Sequence, residues 1–205
     1  MSKKSLQILP AKTGYNEIAK QYKAMHNYLD EFEQDKLIPL LGDIAGLEVL
    51  DVGAGSGRLL NRLLKKGAKI TALDSSKCML KLIRPQIKDQ LKEIKIGQAE
   101  SLPFIDQSFD IVLAVFLIVH LKDPSVFLRE AWRVLRPAGH LLITNVNQKK
   151  PVAVDIAQGR VAVESFYHRP SDISDQVVQA GFDIEKDFLI KEKEIWINQI
   201  ILAKK

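Results

Sequence analysis

Short apolar runs and longer amphipathic patterns alternate along the middle of this 205-residue chain. The apolar runs have the length of buried strands, and the stretches between them repeat apolar positions every three to four residues, as helices do. Alternating strands and helices predict parallel strands covered by helices on both faces, which is an α/β fold. The predicted strands of this part occupy residues 47–50, 68–73, 93–96, 109–115 and 140–146.

The N-terminal part is predicted to be helical. Residues 1–12 show no regular pattern and are interpreted as a loose tail. From Tyr15 to Phe32 apolar residues recur with helical spacing, and a shorter helix is expected at residues 37–41. Tyr15 is expected to pack this helix against the sheet, whereas Tyr22 is expected either to pack there or to face a ligand.

The C-terminal part departs from simple alternation. Two stretches, 152–156 and 161–166, predict a hairpin, and residues 171–180 predict a helix. The last two predicted strands, 182–190 and 195–202, are separated by only four residues. Because parallel strands need a longer crossover, this final pair is expected to be antiparallel.

A glycine-rich turn follows the first strand of the alternating part. Asp51 ends the apolar run, and Gly53, Gly55 and Gly57 follow at alternate positions. Glycine allows positive φ and lets the backbone approach a ligand closely. The spacing matches neither the dinucleotide fingerprint nor the phosphate loop. A second carboxylate, Asp74, ends the next strand, where it can meet the ribose hydroxyls of a nucleoside.

Four segments carry a resemblance to a known family. The chain resembles the class I S-adenosylmethionine-dependent methyltransferases of the small Rossmann-like kind, the methyltransferase type 11 group that includes quinone-biosynthesis and tRNA wobble-uridine enzymes. The matching segments cover about half the chain and are VLDVGAGSG (49–57), ALDSS (72–76), GQAESLPFIDQSFDIVLA (97–114) and REAWRVLRPAGHLLIT (129–144).

The resemblance implies a fold and a division of the chain. The fold is α/β, a doubly wound, mostly parallel seven-stranded Rossmann-like sheet with an antiparallel terminal strand pair, which distinguishes this class from dehydrogenases. We expect a single methyltransferase domain over residues 1–205. Its expected parts are a helical lid (1–46), a cofactor-binding core (47–146), a hairpin insertion near the substrate pocket (147–170) and a C-terminal helix and strand pair (171–205).

The resemblance also assigns S-adenosylmethionine as the cofactor and the glycine turn as its holder. The backbone of Gly53-Ala54-Gly55 is expected to lie against the methionine part of the cofactor. Asp51 either braces this turn or accepts from the ammonium group. Gly57 is expected to let the first helix begin close by. Asp74 is expected to bind both ribose hydroxyls, with helix capping as the alternative.

The adenine side is less typical of the family. Gln98 stands where an acidic residue usually accepts from the adenine amino group, although a glutamine carbonyl is able to accept that bond as well. The amide of Ala99 is expected to contact the ring. The remaining expected cofactor contacts are Ser75 and Met79 beside the adenine, Val115 at the methionine end, and Tyr22 from the lid.

Two histidines are the candidate catalytic residues. His120 falls where a histidine is common in this group, and His168 follows the predicted hairpin and is expected to reach over the pocket. A structural role is the alternative for each. Methyl transfer from a sulfonium depends largely on alignment and exclusion of water, so a base is needed only if the acceptor is a hydroxyl or an activated carbon.

Composition narrows the partners of the protein. Cys78 is the only cysteine, so no intrachain disulfide and no structural zinc site is expected, and the chain is expected to be cytoplasmic. We expect no metal, no membrane span, and a monomer or homodimer. The formal charge of +5 is concentrated in residues 47–150, where lysines on outer helix faces are a simpler explanation than nucleic-acid binding.

The favoured function is methyl transfer from S-adenosylmethionine to a small-molecule acceptor by in-line displacement. One alternative is a tRNA base methyltransferase, and another is a regulatory module that binds the cofactor without turnover. The chain lacks the Asp/Asn-Pro-Pro-Tyr/Phe motif after its fourth strand, where Ala114-Val115-Phe116-Leu117 stands instead. This disfavours the methyltransferases that act on exocyclic amines of DNA.

Overall fold

A computed structural model describes residues 6–24, 26–33, 35–157 and 159–205. Within these ranges the strands are β1 (Leu6–Leu9), β2 (Glu48–Val52), β3 (Lys69–Asp74), β4 (Glu93–Ile96), β5 (Phe109–Ala114), β6 (Leu135–Val146), β7 (Ala153–Ile156), β8 (Gly159–Val163), β9 (Asp183–Glu192) and β10 (Ile195–Lys204). The helices are α1 (Ala11–Ala24), α2 (His26–Glu31), α3 (Leu37–Leu40), α4 (Leu60–Lys65), α5 (Lys77–Lys81), α6 (Pro85–Lys88), α7 (Pro124–Val134) and α8 (Pro170–Gln179), and Ile118–His120 form a 3₁₀ turn.

In the described part of the chain, seven strands form the main sheet in the order β4-β3-β2-β5-β6-β10-β9. The first five are parallel to one another, and β10 runs antiparallel to both of its neighbours, β6 and β9. The predicted α/β fold, with a mostly parallel seven-stranded sheet and an antiparallel terminal pair, is therefore confirmed. A parallel sheet buries both of its faces, and the central residues Val49, Leu50 and Val112 are fully buried.

Helix α7 illustrates how local sequence starts an element of this fold. The Asp123 carboxylate accepts a hydrogen bond from the Ser125 amide (3.0 Å), and Pro124 occupies the first helical position. A capping acid and a first-turn proline both favour helix initiation. The helix then buries Phe127 and Leu128 completely against the sheet.

A second, three-stranded sheet has the order β1-β8-β7. The β7–β8 hairpin was expected, but the strand β1 was not, because residues 1–12 were interpreted as a loose tail. That interpretation is wrong for Leu6–Leu9, which pair in parallel with Arg160–Val163, and for Ala11, where α1 begins. The pairing is non-local, and although three of the four residues are apolar, the stretch is too short for its pattern to distinguish a strand from a tail. Residues 1–5 of that stretch lie outside the described residues.

Other boundaries shift by a few residues. The helix expected from Tyr15 to Phe32 is described as α1 and α2, with Met25 between them outside the described residues. Strand β6 begins five residues earlier than expected, at Leu135, because Leu135 already pairs with Phe109 of β5; the register then shifts across the Arg-Pro-Ala-Gly segment before pairing resumes at His140. In the parts that the structure describes, no helix is both long and apolar enough to cross a membrane.

Candidate active site

A cavity of ≈ 450 Å³ lies at the carboxyl ends of β2, β3 and β5, and we call it the larger cavity. The strand order reverses between β3-β2 and β5, and such a switch point leaves a crevice above the sheet. Helix α1 and the segment after β8 form its opposite wall through Tyr15, Glu164 and Phe166. The small sheet and the main sheet therefore enclose one site.

The glycine turn between β2 and α4 forms the floor of this cavity. Gly53 and Gly55 have φ of +77° and +56°, which a residue with a Cβ adopts only at a cost. The amides of Gly53 and Ala54 both donate to the Leu73 carbonyl, at 2.8 and 3.0 Å, and pin the turn to β3. A Cβ on Gly53 would lie 3.3 Å from Leu117 Cδ1 and would narrow the cavity.

Asp74 links the glycine turn to the next loop. Its carboxylate accepts from the Gly55 amide (2.8 Å) and from the Ser76 amide (2.7 Å). Burial raises the pKa of Asp74, and these amide hydrogen bonds lower it in part. The Ser75 backbone also hydrogen-bonds this carboxylate, and a carboxylate with about four acceptor sites keeps capacity for a ligand. The residue therefore braces the loops and also presents acceptors to the cavity, which it lines.

Asp51 is a buried carboxylate that lines the larger cavity. Its exposed fraction is 3%, and no described residue donates a hydrogen bond to its side chain. Burial raises its pKa to about 7; the Arg58 guanidinium opposes the increase, and the neighbouring Asp74 and Glu33 carboxylates add to it. A buried carboxylate is costly unless a charge or donor meets it. Asp51 therefore fits a cationic or hydrogen-bond-donating group of a ligand in the larger cavity.

The structure brings most of the sequence-predicted residues together around one cavity. Those that line the larger cavity are Tyr22, Asp51, Gly53, Ala54, Gly55, Asp74, Ser75, Met79, Gln98, Ala99, Val115 and His120.

Two predicted residues lie elsewhere. Gly57 packs instead of lining the cavity: a Cβ there would lie 3.0 Å from Leu60 Cδ1 and 3.1 Å from Ile83 Cγ1. The expectation that His168 reaches over the pocket is not met, because its Nε2 lies 2.9 Å from the Leu121 carbonyl and the residue is not part of the cavity lining. His168 thus anchors the chain after the hairpin to the chain before α7.

Arg58 was missed as a site residue. It lines the larger cavity, its guanidinium pairs with both Asp30 and Glu33, and it lies 5.1 Å from the centre of the Phe116 ring. The side chain of Glu33 is 1% exposed, so this ion pair is shielded from solvent. The arrangement ties the N-terminal helical segment to the glycine turn. The only local signal was the position of Arg58 directly after Gly57.

Tyr15 was expected only to pack, but it makes a polar contact. Its hydroxyl lies 2.7 Å from His120 Nε2, and His120 Nδ1 lies 2.8 Å from the Glu164 carbonyl. A carbonyl only accepts, so Nδ1 carries the proton and Nε2 of the neutral ring accepts from the Tyr15 hydroxyl. Burial lowers the pKa of His120 and raises that of Tyr15, which keeps both neutral. Both nitrogens of His120 are therefore already engaged.

A smaller cavity of ≈ 160 Å³ adjoins the larger one. Four residues, Tyr15, Tyr22, Phe116 and His120, line both cavities and form the wall between them. Apart from these and the amide of Gln148, the smaller cavity is lined by the apolar residues Ile18, Leu29, Phe32, Val119, Val146, Val152, Val154 and Val163. Its volume is similar to that of an apolar protein cavity that binds benzene.

Comparison with known proteins agrees with this geometry. Residues 50–143 match the model of a family described as a methyltransferase domain. The demethylmenaquinone methyltransferase of Tropheryma whipplei (strain Twist) is 36% identical over 135 residues, covering 63% of this chain and 56% of that protein. The protein of the same name from Thermotoga maritima is 35% identical over 136 residues, covering 63% and 58%. The chain thus spans little more than half the length of these relatives.

A solved structure extends the likeness to the fold. The crystal structure of an S-adenosylmethionine-dependent methyltransferase from Mesorhizobium loti superposes with a TM-score of 0.73 at 19% identity, covering 86% of this chain and 100% of that one. At this identity the likeness concerns the fold alone. Residues 50–143 of this chain are therefore similar in sequence to a methyltransferase domain, and the chain shares the fold of that solved structure.

Proposed function

We propose that this protein binds S-adenosylmethionine in the larger cavity and catalyses methyl transfer to a small molecule whose apolar part occupies the smaller cavity. The observation that carries the proposal is the pair of adjoining cavities, one with a buried carboxylate to which no described residue donates and one lined mainly by apolar side chains. Relatives named as demethylmenaquinone methyltransferases support an apolar acceptor.

The residues of the larger cavity fit the cofactor. Asp74 keeps acceptor capacity for the ribose hydroxyls, and Asp51, to which no described residue donates, suits an ammonium group. The glycine turn exposes backbone where a Cβ would obstruct a ligand, and Gln98 and Ala99 are available to the adenine. When bound, S-adenosylmethionine supplies an electrophilic methyl group on a positively charged sulfur.

The protein's own contribution is alignment and the exclusion of water. An acceptor in the smaller cavity would be held by apolar side chains, with its reactive atom at the wall made by Tyr15, Tyr22, Phe116 and His120. Fixing two reactants in line removes much of the barrier to such a displacement. We further infer that residues 1–46 act as the lid of this site, since α1 contributes Tyr15 and Tyr22 to both cavities.

Calorimetry with S-adenosylhomocysteine tests the cofactor assignment. Asp74→Ala should weaken binding by about 2 kcal/mol, roughly thirtyfold, because two charge-assisted hydrogen bonds are lost. Asp89→Ala is the matched control, since Asp89 is exposed at the end of α6 and should leave affinity unchanged. Unchanged affinity of the Asp74 variant would contradict the assignment.

The acceptor assignment needs separate assays. Transfer of a labelled methyl group to a panel of small phenols, quinols and amines should yield product with at least one of them. Binding of S-adenosylhomocysteine without any methylation would favour a regulatory module instead. Salt-sensitive retention of bulk tRNA on filters would favour the RNA alternative.

A further inference from the structure

In the wall between the two cavities, Tyr15 is able to accept a hydrogen bond from a ligand but not to donate one. Tyr15 uses its single hydroxyl proton on His120 Nε2, because the other His120 nitrogen donates to the Glu164 carbonyl. With its proton on His120, the Tyr15 oxygen only accepts; the neighbouring Tyr22 hydroxyl is hydrogen-bonded to it and takes one lone pair, and the second lone pair is left for a ligand. A ligand that meets this oxygen has to bring a hydrogen-bond donor of its own.

The orientation of this pair is held by contacts on several sides. The Tyr15 ring packs edge-on against the His120 ring (centroids 5.1 Å apart) and against the Tyr22 ring (5.2 Å). The amide of Glu164 donates to the Leu9 carbonyl (2.8 Å), so the small sheet fixes the carbonyl that orients His120. The direction of the Tyr15–His120 bond is thus set by the fold before any ligand binds.

We propose that Tyr15 is the residue that receives the acceptor's proton, and that the acceptor is an apolar molecule, of about one ring in the smaller cavity, that presents an O–H, N–H or S–H group to Tyr15. His120 acts through Tyr15 as a positioning residue. This inference rests on the proposed function and refines it, because it assigns the contact with the acceptor to Tyr15 and not to His120.

The proton and charge balance of the step is complete. As the new bond between the acceptor atom and the methyl carbon forms, the methyl–sulfur bond breaks and its electron pair stays on sulfur. The acceptor's proton passes to the Tyr15 oxygen while the Tyr15 proton passes to His120 Nε2. The imidazolium that results carries the positive charge lost by the sulfonium. The proton later leaves to water when the product departs.

Ligand selectivity, measured by ¹⁹F NMR on the full chain without cofactor, tests the proposal independently of methyl transfer. The probes are 4-fluorophenol, which donates a hydrogen bond, and 4-fluoroanisole, which does not. Wild type should bind the phenol roughly two- to tenfold more tightly, the worth of one net hydrogen bond. Tyr15→Phe should bring this ratio close to one. A ratio that stays at the wild-type value in Tyr15→Phe, or no preference in wild type, would overturn the proposal.

Two further variants separate polarity from packing. Tyr167→Phe is the matched control, because Tyr167 lines neither cavity, and it should keep the wild-type ratio. His120→Leu releases the Tyr15 proton, so it should reduce the discrimination against the anisole. A purely structural His120 would leave the ratio unchanged.

A measurement on wild type alone covers the case in which the Tyr15 variant does not fold. The ¹⁵N resonance of His120 Nε2 reports the strength of the hydrogen bond that it accepts from Tyr15. Addition of 4-fluorophenol should shift this resonance, because a donor on the Tyr15 oxygen strengthens the onward bond. The anisole should leave it in place, and equal responses to both probes would contradict the assigned role.

Discussion

The two cavities share a wall but are built from different kinds of contact. In the larger cavity the decisive hydrogen bond, from Gly55 to Asp74, joins residues 19 positions apart on two adjacent strands and their loops. In the smaller cavity the Tyr15–His120 bond spans 105 positions. The side-chain amide of Asn198 donates a hydrogen bond to the Phe32 carbonyl, and these two residues are 166 positions apart in the chain. The floor of the larger cavity is therefore a local motif, and the wall shared with the smaller cavity depends on the assembled fold.

This difference matches the division of labour that we propose. A methyl donor common to many enzymes suits a site made by one short strand–turn–helix unit and its neighbour. An acceptor particular to one enzyme suits a site assembled from the lid, the small sheet and the 3₁₀ turn. Variants placed on the two sides should therefore change different properties.

The largest effect is expected where the lid meets the glycine turn. Arg58→Ala leaves the buried Glu33 without its partner and should lower the free energy of unfolding by about 3–5 kcal/mol, measured by urea denaturation. Arg62→Ala, four residues further on in α4, is the control, because its partner Asp35 is 87% exposed at the side chain, and it should change stability by less than about 1 kcal/mol. Equal effects would mean that the Arg58 pair does not hold the lid.

A smaller effect, of opposite sign, is expected at Asp51. Its pKa is about 7 in the folded protein and 3.8 ordinarily, so the unfolded state loses its proton first as the pH rises. Wild type therefore loses stability between about pH 4 and pH 7 and not above that range. Asp51→Asn avoids this loss and should be more stable than wild type by about 1–3 kcal/mol at pH 8.

Comparing wild type and Asp51→Asn at pH 4 and pH 8 checks the sign of this change in stability with pH. The stability difference measured by urea denaturation should grow with pH, while the affinity of the Asp51 variant for S-adenosylhomocysteine falls. A variant with a constant stability difference would show that Asp51 is not a strained buried carboxylate. Retained affinity would separate Asp51 from the cofactor site.

The smallest effect concerns the glycine turn itself. Gly53 and Gly46 share a φ of +77°, but a Cβ at Gly46 meets nothing within 4 Å, whereas one at Gly53 approaches Leu117 Cδ1. Each change to alanine should cost about 1 kcal/mol of stability through positive φ. Only Gly53→Ala should also weaken S-adenosylhomocysteine binding, as calorimetry will detect. Equal affinities of the Gly53 and Gly46 variants for S-adenosylhomocysteine would show that the turn is not part of the binding site.

Prediction from sequence succeeded where the signal is local. The buried strands, the antiparallel final pair and the convergence of Asp51, Gly53, Gly55 and Asp74 follow from patterns within short segments. It failed for β1, whose partners lie more than 150 positions away, and for the placement of His168. The role of Glu164 could not be predicted from the sequence, because it contributes a backbone carbonyl, which any residue provides.

By itself the sequence determined the α/β architecture and the floor of the larger cavity, since apolar periodicity and glycine spacing act through neighbouring residues. Only the tertiary structure decided that Tyr15 donates to His120, that Arg58 holds the N-terminal segment, and that an apolar cavity adjoins the polar one. The physical reason is that hydrogen-bond direction and cavity shape depend on which distant segments meet, and no local pattern of residue types encodes those meetings.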